Sequence, residues 1–304
     1  MKSKSIFKTN RDHTEEIVSV EQIKQIKKET RERKLKAIRS LATRVQVAPD
    51  GTRTFIRFSQ SQCLEHYVLI ASFGTLAVTG LLQTLSHFSI VGWIMQILGN
   101  VETVRAIHHF AAAVLALQSV YHVEQILVTW IVKRERGGMW PSVRDFRNLV
   151  QTVMFNLGLA KQKPKSDRFS GEEKLEYWAL LWGTPVMGIT GFILWFPTIA
   201  TAVLPGEIVP IAQAIHSWEA ILATLAILTW HMYHTNIKEK NRSIFTGTMT
   251  EKEMQHAHPL EYQRLFAAHE YLQKNRLGDD GREGNQTLLA MTRKEVGQEE
   301  QTAN

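Results

Sequence analysis

The stretch IHSWEAILATLAILTWHMYH, residues 215–234, decides the fold because it has the length of a bilayer span and a histidine towards each end. Its centre, AILATLAIL, contains no charged residue. A helix of about 20 apolar residues crosses a hydrocarbon core of about 30 Å, and ionisable side chains in such helices usually mark a functional site. The stretch therefore predicts a membrane-spanning helix with functional histidines.

Three other apolar blocks have a similar length. The four blocks are residues 67–85, 110–132, 178–203 and 211–233, and none contains Lys or Arg before its terminal turn. Helices of soluble proteins rarely run this long without a polar face, so we interpret the blocks as transmembrane helices. We expect an all-α fold, an integral membrane four-helix bundle with cytoplasmic N- and C-terminal helical extensions.

The basic residues lie on one side of the predicted bundle. Residues 87–109 contain one basic side chain, Arg105, and residues 197–211 contain none, whereas residues 133–174 contain ten. The positive-inside rule then predicts a multi-pass protein of the cell inner membrane with both termini in the cytoplasm. The net charge of +7 and the pI of 9.4 fit this topology and contact with anionic membrane lipid, and we expect no nucleic-acid binding.

Three regions follow from this charge pattern. Residues 1–58 form a basic cytoplasmic N-terminal arm, residues 59–240 the four-helix transmembrane domain, and residues 241–304 a polar cytoplasmic tail. Within the arm, residues 18–45 are typical of a charged amphipathic helix that lies on the membrane, on a partner or in solvent. Residues 88–98 are too short to span and are predicted to rest in the outer interface.

Cysteine usage limits the possible cofactors. Cys63 is the single cysteine of the sequence. It excludes a disulfide framework, a cysteine-ligated iron-sulfur cluster and a covalently attached haem. The sequence also lacks a glycine-rich phosphate loop and a hydrolase nucleophile motif, so a redox cofactor must be held by other residues.

Histidines form two layers in the predicted bundle. At about 1.5 Å per residue, the spacing from His108 to His122 corresponds to about 21 Å and that from His216 to His231 to about 22 Å. In ideal helices the two pairs are offset by about 40° and about 60°, so both pairs can face one bundle interior. His66 begins the first helix on the basic side.

Imidazoles from different helices in an apolar bundle are typical of bis-histidine b-type haem. The macrocycle requires a dry slot, and each axial position requires a neutral imidazole nitrogen. The motifs VTG (78–80) and ITG (189–191), with Gly74, Gly188 and residues 111–113, supply small residues for close approach. Arg105, one turn before His108, either pairs with an outer haem propionate or anchors the helix at the interface.

Over residues 57–265 the chain resembles the cytochrome b subunits of membrane-bound formate dehydrogenases and nickel-iron hydrogenases. The similar segments are CLEHYVLIASFGTLAVTG, VRAIHHFAAAVLAL, EYWALLWGTPVMGITGFILWFP, and IHSW and WHMY of the fourth helix. RSIFTGTMTEKEMQHAHPLEY also resembles the tail of the formate dehydrogenase branch. The resemblance implies two stacked b haems that carry electrons between an outer subunit and the quinone pool.

The resemblance also implies a set of site residues. His108 and His216 are expected to ligate the outer haem, and His66 and His231 the inner one. The quinone is expected beside the inner haem near the loop DRFSGEEKLEYW, where Ser170, Gly171 and Glu173 occur, although the amide-bearing residues of the family are replaced here. Glu172 or Glu173 either serves proton uptake or belongs to an ordinary acidic helix start.

His122 leaves the ligand set open. Its spacing to His108, with that of His216 and His231, resembles the cytochrome b of quinol:cytochrome c oxidoreductases, in which two helices supply all four ligands. Five histidines thus compete for four positions. We favour His66 because the first-helix resemblance includes its flanks; the alternatives are that His122 replaces it, contacts the haem edge or helps to ligate a third haem.

We therefore predict a dihaem cytochrome b, the electron-transfer subunit of a quinone-linked oxidoreductase complex. A catalytic subunit and an outer iron-sulfur or multihaem cytochrome c subunit are the expected partners, and the outer surface of residues 88–103 and 197–213 is the expected docking site. Two alternatives stay open at this point. One is a haem-free transporter or proton channel with a histidine relay, and the other is a haem-bearing structural anchor without quinone chemistry.

Overall fold

The computed structural model describes residues 20–132 and 138–277. The rest of the predicted N-terminal arm, of the central loop and of the C-terminal tail lies outside the described residues. The chain divides into two compact units, and the larger, Gly51–Tyr262, contains all four predicted spans. In the smaller unit, the predicted amphipathic helix is observed as α1 (Val20–Ala42), which is followed by strand β1 (Val45–Val47).

The larger unit is built mainly of helices, which confirms the predicted fold class. Among the described residues, four helical stretches are long and apolar enough to cross a membrane, namely Gln60–Thr84, Val101–Val132, Gly171–Trp195 and Ile208–Lys238. The helices after α1 are, in chain order, α2 (Gln60–Thr84), α3 (Ser89–Ile97), α4 (Val101–Leu127), α5 (Val143–Asn156), α6 (Gly171–Trp195), α7 (Pro197–Thr201), α8 (Ile208–Ala226), α9 (Ser243–Thr246), α10 (Glu251–Ala257) and α11 (Pro259–Leu277).

The four long helices pack as two hairpins. Helix α2 packs against α4, α6 packs against α8, and α2 also contacts α8. Their outward surfaces are apolar and exposed, with Phe110, Leu117 and Trp218 each more than 70% exposed. Because soluble proteins rarely expose such continuous apolar surface, lipid is the solvent for these faces, and the chain is a multi-pass membrane protein.

The two ends of the bundle differ in charge. We call the end at which α2 and α6 begin the basic end, and the other the neutral end. The basic end also carries a short antiparallel ladder between β2 (Arg53–Ile56) and β3 (Thr248–Thr250), in which Phe55 faces Met249. Both of these side chains are buried, so the ladder fixes the chain segment before α2 to the segment after the last span.

Helix α8 continues towards the basic end through π-helical segments, Ile227–His231 and Tyr233–Lys238. A π-helix bonds residue i to residue i+5, so it turns less per residue than an α-helix and is frequent at functional sites. The spacing of His216 and His231 is one residue longer than that of His108 and His122. The π segment accommodates the additional residue through its smaller turn per residue. The angular offset of about 60° between His216 and His231, which assumes an ideal α-helix, therefore does not apply.

A buried arginine organises the basic end. The Arg57 side chain is fully buried, donates to the carbonyl oxygen of Arg168 at 2.6 Å, and pairs with Glu173 at 3.0 Å and with Glu261 at 3.3 Å. The rings of neighbouring phenylalanines lie 5.2–5.3 Å from its guanidinium carbon. Since buried charges require partners, this network joins the entry of α2, the start of α6 and the chain after β3.

Candidate functional site

Four of the predicted histidines meet in two pairs, one towards each end of the bundle. The ring centres of His108 and His216 are 6.4 Å apart at an interplanar angle of 67°. Those of His66 and His231 are 6.5 Å apart at 50°. When two imidazoles coordinate one metal ion from opposite sides, through metal–nitrogen bonds of about 2.0–2.1 Å, their ring centres lie roughly 6 Å apart. Both pairs have the separation of axial ligands.

The donor set suits a metal that brings its own equatorial ligands. Within residues 20–132 and 138–277, no group of three or more His, Cys, Asp or Glu side chains is arranged to hold a bare metal ion. Each pair offers two imidazoles in an apolar bundle, and a porphyrin supplies the remaining four positions. The residues therefore fit haem better than a structural or catalytic metal ion.

A threonine fixes the tautomer of His108. The Nδ1 atom of His108 lies 2.9 Å from Oγ1 of Thr79 on the neighbouring helix α2. The Thr79 hydroxyl donates its proton to the Thr75 carbonyl oxygen at 2.7 Å, so it accepts a hydrogen bond from His108 Nδ1–H. The Nε2 atom of His108 consequently carries the free lone pair that a metal ion requires.

The second hairpin repeats this arrangement around His216. Its Nδ1 atom lies 2.9 Å from Oγ1 of Thr190, which donates to the Val186 carbonyl oxygen at 2.7 Å. The glycine that follows each threonine gives space to the ring: a Cβ on Gly80 or Gly191 would lie 3.2 Å from Cε1 of the paired histidine. The VTG and ITG motifs therefore position the histidines: the threonine accepts a hydrogen bond from the imidazole, and the glycine leaves space for its ring.

A carboxylate holds His231. The Nδ1 atom of His231 is 2.8 Å from Oε2 of Glu176 on α6, and a carboxylate accepts this hydrogen bond and leaves Nε2 free. Glu176 was not among the residues predicted from the sequence. The signal that identifies it is a glutamate in the second turn of α6, two residues before the apolar block, where a charge close to the membrane requires a partner.

His66 has a different environment. Its Nδ1 atom is buried and has no hydrogen-bond partner among the described residues, and its ring packs against Phe245 at 5.4 Å between centres. Buried polar atoms are nearly always satisfied, and exceptions often mark functional sites. An imidazole with an unused nitrogen opposite His231 is consistent with a position that takes a ligand.

His122 uses both of its nitrogen atoms within the protein. Nδ1 lies 2.7 Å from Glu65 Oε2 on α2, and Nε2 lies 3.1 Å from the Tyr177 hydroxyl on α6. With Nδ1–H donating to the carboxylate, Nε2 accepts from the phenol. His122 therefore ties three helices together and has no free lone pair for a metal ion.

Arg105 lies at the surface where α4 begins. It forms an ion pair with Glu102, three residues earlier, at 2.9 Å, and about half of its side chain is exposed. Such a pair suits an interfacial anchor. The propionate contact of Arg105 stays a prediction.

The residues expected near the quinone build the start of α6. Ser170 caps the helix by accepting from the Glu173 backbone N–H, and the Glu173 carboxylate accepts from the Ser170 backbone N–H at 2.7 Å. Gly171 touches helix α5, because a Cβ there would lie 2.8 Å from the Asp145 carbonyl oxygen. Together with the bond from Glu173 to Arg57, these contacts give all three residues structural roles.

A polar cavity of about 70 Å³ lies beside them, lined in part by Glu172, Glu239, His234 and His258. It is much smaller than the roughly 300–1,000 Å³ of ligand pockets, but large enough for water. His234 Nδ1 and His258 Nε2 are buried without a hydrogen-bond partner among the described residues, as expected of groups that bind water. Burial, and then the nearby Arg57 charge, lower the pKa of His258, which favours the neutral form of this side chain.

Comparisons with known proteins agree with the geometry. The chain is 22% identical over 213 residues to the cytochrome b556(fdo) subunit of formate dehydrogenase from Escherichia coli, and the match covers 70% of this chain and 93% of the relative. The same subunit from two other Escherichia coli strains matches equally. No family model matches the sequence. The similarity, the four spans and the paired imidazoles together support a cytochrome b type of membrane subunit.

Proposed function

We propose that this chain is a dihaem cytochrome b of the inner membrane that carries electrons between a redox subunit at the neutral end and quinone at the basic end. The observation that carries the proposal is the presence of two imidazole pairs at axial-ligand separation, one towards each end. Haem b supplies one-electron transfer when it is bound. The similarity to a formate dehydrogenase cytochrome b556 subunit supports the same class of function.

His108 with His216 ligate one haem in this proposal, and His66 with His231 ligate the other. The free Nε2 atoms of His108, His216 and His231, the Nδ1 atom of His66 that has no hydrogen-bond partner among the described residues, and the ring separations support this set. His122 is a structural residue instead, because Glu65 and Tyr177 occupy its two nitrogens. The set favours two haems over three.

The protein residues around the two pairs differ in charge. Neutral hydroxyls hold the neutral-end pair, whereas the Glu176 carboxylate holds His231 at the basic end. A carboxylate partner raises the basicity of the ligand and favours the oxidised metal. The two sites are therefore expected to have distinct reduction potentials.

Quinone chemistry is placed at the basic end, beside His231. Glu173 already pairs with Arg57 and accepts a hydrogen bond from the Ser170 backbone N–H. Of the two glutamates, Glu172 is therefore the better candidate for proton uptake. Glu172 lines the polar cavity and lies 3.4 Å from Lys238 and 3.6 Å from His234. A hydrated cavity with these groups offers a route for protons from the aqueous phase to the edge of the membrane.

The charge distribution supports a cytoplasmic basic end with both termini on that side. The outer partner, an iron-sulfur or multihaem cytochrome c subunit, then docks on the neutral end, where Ile90, Trp93 and Val203 are well exposed. A catalytic subunit of formate dehydrogenase type completes the complex, in line with the name of the relative.

The test is haem quantification by pyridine haemochrome and reduced-minus-oxidised spectra of purified variants. Two haems b per chain are expected, one after His66→Ala or His108→Ala, and two after His122→Phe. A fully folded preparation without haem, or loss of haem in His122→Phe but not in His66→Ala, would overturn the proposed ligand set. Glu172→Gln is expected to keep both haems and slow quinone-linked turnover; unchanged turnover would favour the structural-anchor alternative.

A further inference from the structure

Helix α5 has the inverse of the polarity expected on a soluble surface. Its polar residues Asp145, Asn148 and Thr152 face inward and line the polar cavity. Its apolar residues face outward, with exposed fractions of 80% for Val143, 70% for Phe146, 44% for Val150, 45% for Val153 and 42% for Met154. A surface helix in water has the opposite arrangement, so the outward face of α5 is suited to contact with an apolar medium.

Tryptophans mark the depth at which α5 begins. Trp130 at the end of the second span, Trp140 in the loop and Trp178 in α6 form a chain of ring contacts at 6.3 Å and 5.5 Å. Tryptophans cluster at the boundary between the acyl chains and the headgroups. Trp140 precedes the N-cap of α5, Ser142, by two residues, so the helix starts at this boundary.

Further contacts attach α5 to the first turn of α6. The Lys174 ammonium donates to the Trp140 carbonyl oxygen at 3.2 Å and to the Asp145 carboxylate at 2.8 Å. The Asp145 backbone lies directly against Gly171, where a Cβ would come within 2.8 Å of its carbonyl oxygen. The start of α5 is therefore held at the basic end of a membrane-spanning helix.

We propose that α5 lies in the plane of the membrane interface at the basic end and inserts its outward face among the acyl chains of that leaflet. Arg147, exposed in the second turn, contacts the headgroups of anionic phospholipids, and so does Arg144, whose exposed guanidinium also lies 3.5 Å from Asp167. Amphipathic helices of this kind sit about 5–10 Å into the boundary between headgroups and acyl chains. The proposal requires the membrane location alone and is independent of the haem and quinone assignments.

The full-length chain in nanodiscs of mixed zwitterionic and anionic phospholipid tests this placement. A nitroxide is attached at Val150→Cys or Met154→Cys in a Cys63→Ser background, and its collisions with oxygen and with a water-soluble nickel chelate are measured. Lys252→Cys, on the exposed side of α10, is the matched aqueous control. We expect the α5 labels to be reached by oxygen and protected from nickel, and the control to show the reverse.

Either of two results would overturn the proposal. Nickel access at both α5 positions equal to that of the control would place the outward face in water. Nickel protection that arises only after addition of the other subunits of the complex would show that a protein covers the face. The headgroup contact is tested by comparison with nanodiscs of zwitterionic phospholipid alone: the label at Val150→Cys is expected to sit deeper in the mixed nanodiscs, and an unchanged depth would refute the role of the arginines.

Discussion

Replacing Thr190 with valine tests how the protein presents His216. The substitution keeps the shape of the side chain and removes the oxygen that accepts from His216 Nδ1 at 2.9 Å. A buried donor left without an acceptor costs about 1–3 kcal/mol, and loss of a hydrogen bond behind a metal ligand typically lowers metal affinity about 10–100-fold. We expect haem at the neutral end to be lost about 10–100-fold more readily than in the parent protein.

Thr184→Val on the same helix is the matched control. The Thr184 hydroxyl donates to the Leu180 carbonyl oxygen at 2.8 Å and forms no hydrogen bond with a histidine among the described residues. Haem transfer to an excess of apomyoglobin, followed by absorbance, measures the relative dissociation of each variant. Equal haem loss from Thr190→Val and Thr184→Val would show that the threonine does not hold the ligand, and the reading of the ITG motif would be wrong.

Three further predictions concern the basic end. Glu176→Gln removes the negative charge behind His231 and is expected to raise the reduction potential of the basic-end haem alone, which a redox titration resolves. Arg57→Met removes the buried partner of Glu261, which is 2% exposed and keeps its longer contact with Arg168 at 3.7 Å, and is expected to cost about 3 kcal/mol, with partial recovery in Arg57→Met/Glu261→Met; thermal unfolding in detergent measures both. Because the folded-state pKa of His258 is lowered below 6.5, its contribution to stability is lost as the pH falls from 6.5 through the folded value. His258→Gln is expected to flatten this limb of the curve of unfolding temperature against pH, and an unchanged limb would refute the assignment.

Hydropathy predicted the spans because bilayer thickness sets a length that a single sequence reveals. It did not predict their ends. Helix α2 begins at Gln60, well before the apolar block, because the Ser59–Gln62 capping box starts it in polar sequence. The fourth span continues to Lys238 through π turns, for which no residue pattern is diagnostic. The β2–β3 ladder is equally invisible in sequence, since its strands have four and three residues.

The histidine layers followed from the rise of a helix, whereas their partners depended on tertiary packing. Helical geometry placed His108 and His216 at one level, and in the structure their ring centres lie 6.4 Å apart. Helical geometry alone could not show that Glu65 and Tyr177 form hydrogen bonds with His122, because these contacts join three different helices. The repeated Thr-Gly pair was visible in sequence as a source of small residues for close approach, whereas the position of its glycines beside the histidine rings depends on helix packing and is seen in the Cβ distances.

The two hairpins contain the same elements at the same spacing, and this repetition explains why four of the five candidate histidines form two pairs and His122 does not. Glu65 precedes Thr79 by 14 residues, and Glu176 precedes Thr190 by 14. In each hairpin the threonine holds the neutral-end histidine of the partner helix, and the glutamate holds the basic-end one.

The residue after each glutamate reaches across to the other hairpin. After Glu65 this residue is His66, whose ring faces His231; after Glu176 it is Tyr177, whose hydroxyl bonds to His122. An imidazole in this position provides a second metal ligand, whereas a phenol donates its proton to the nitrogen that a metal would need. The identity of this one residue in each hairpin thus makes one basic-end position a candidate haem site and the other a structural hydrogen-bond network.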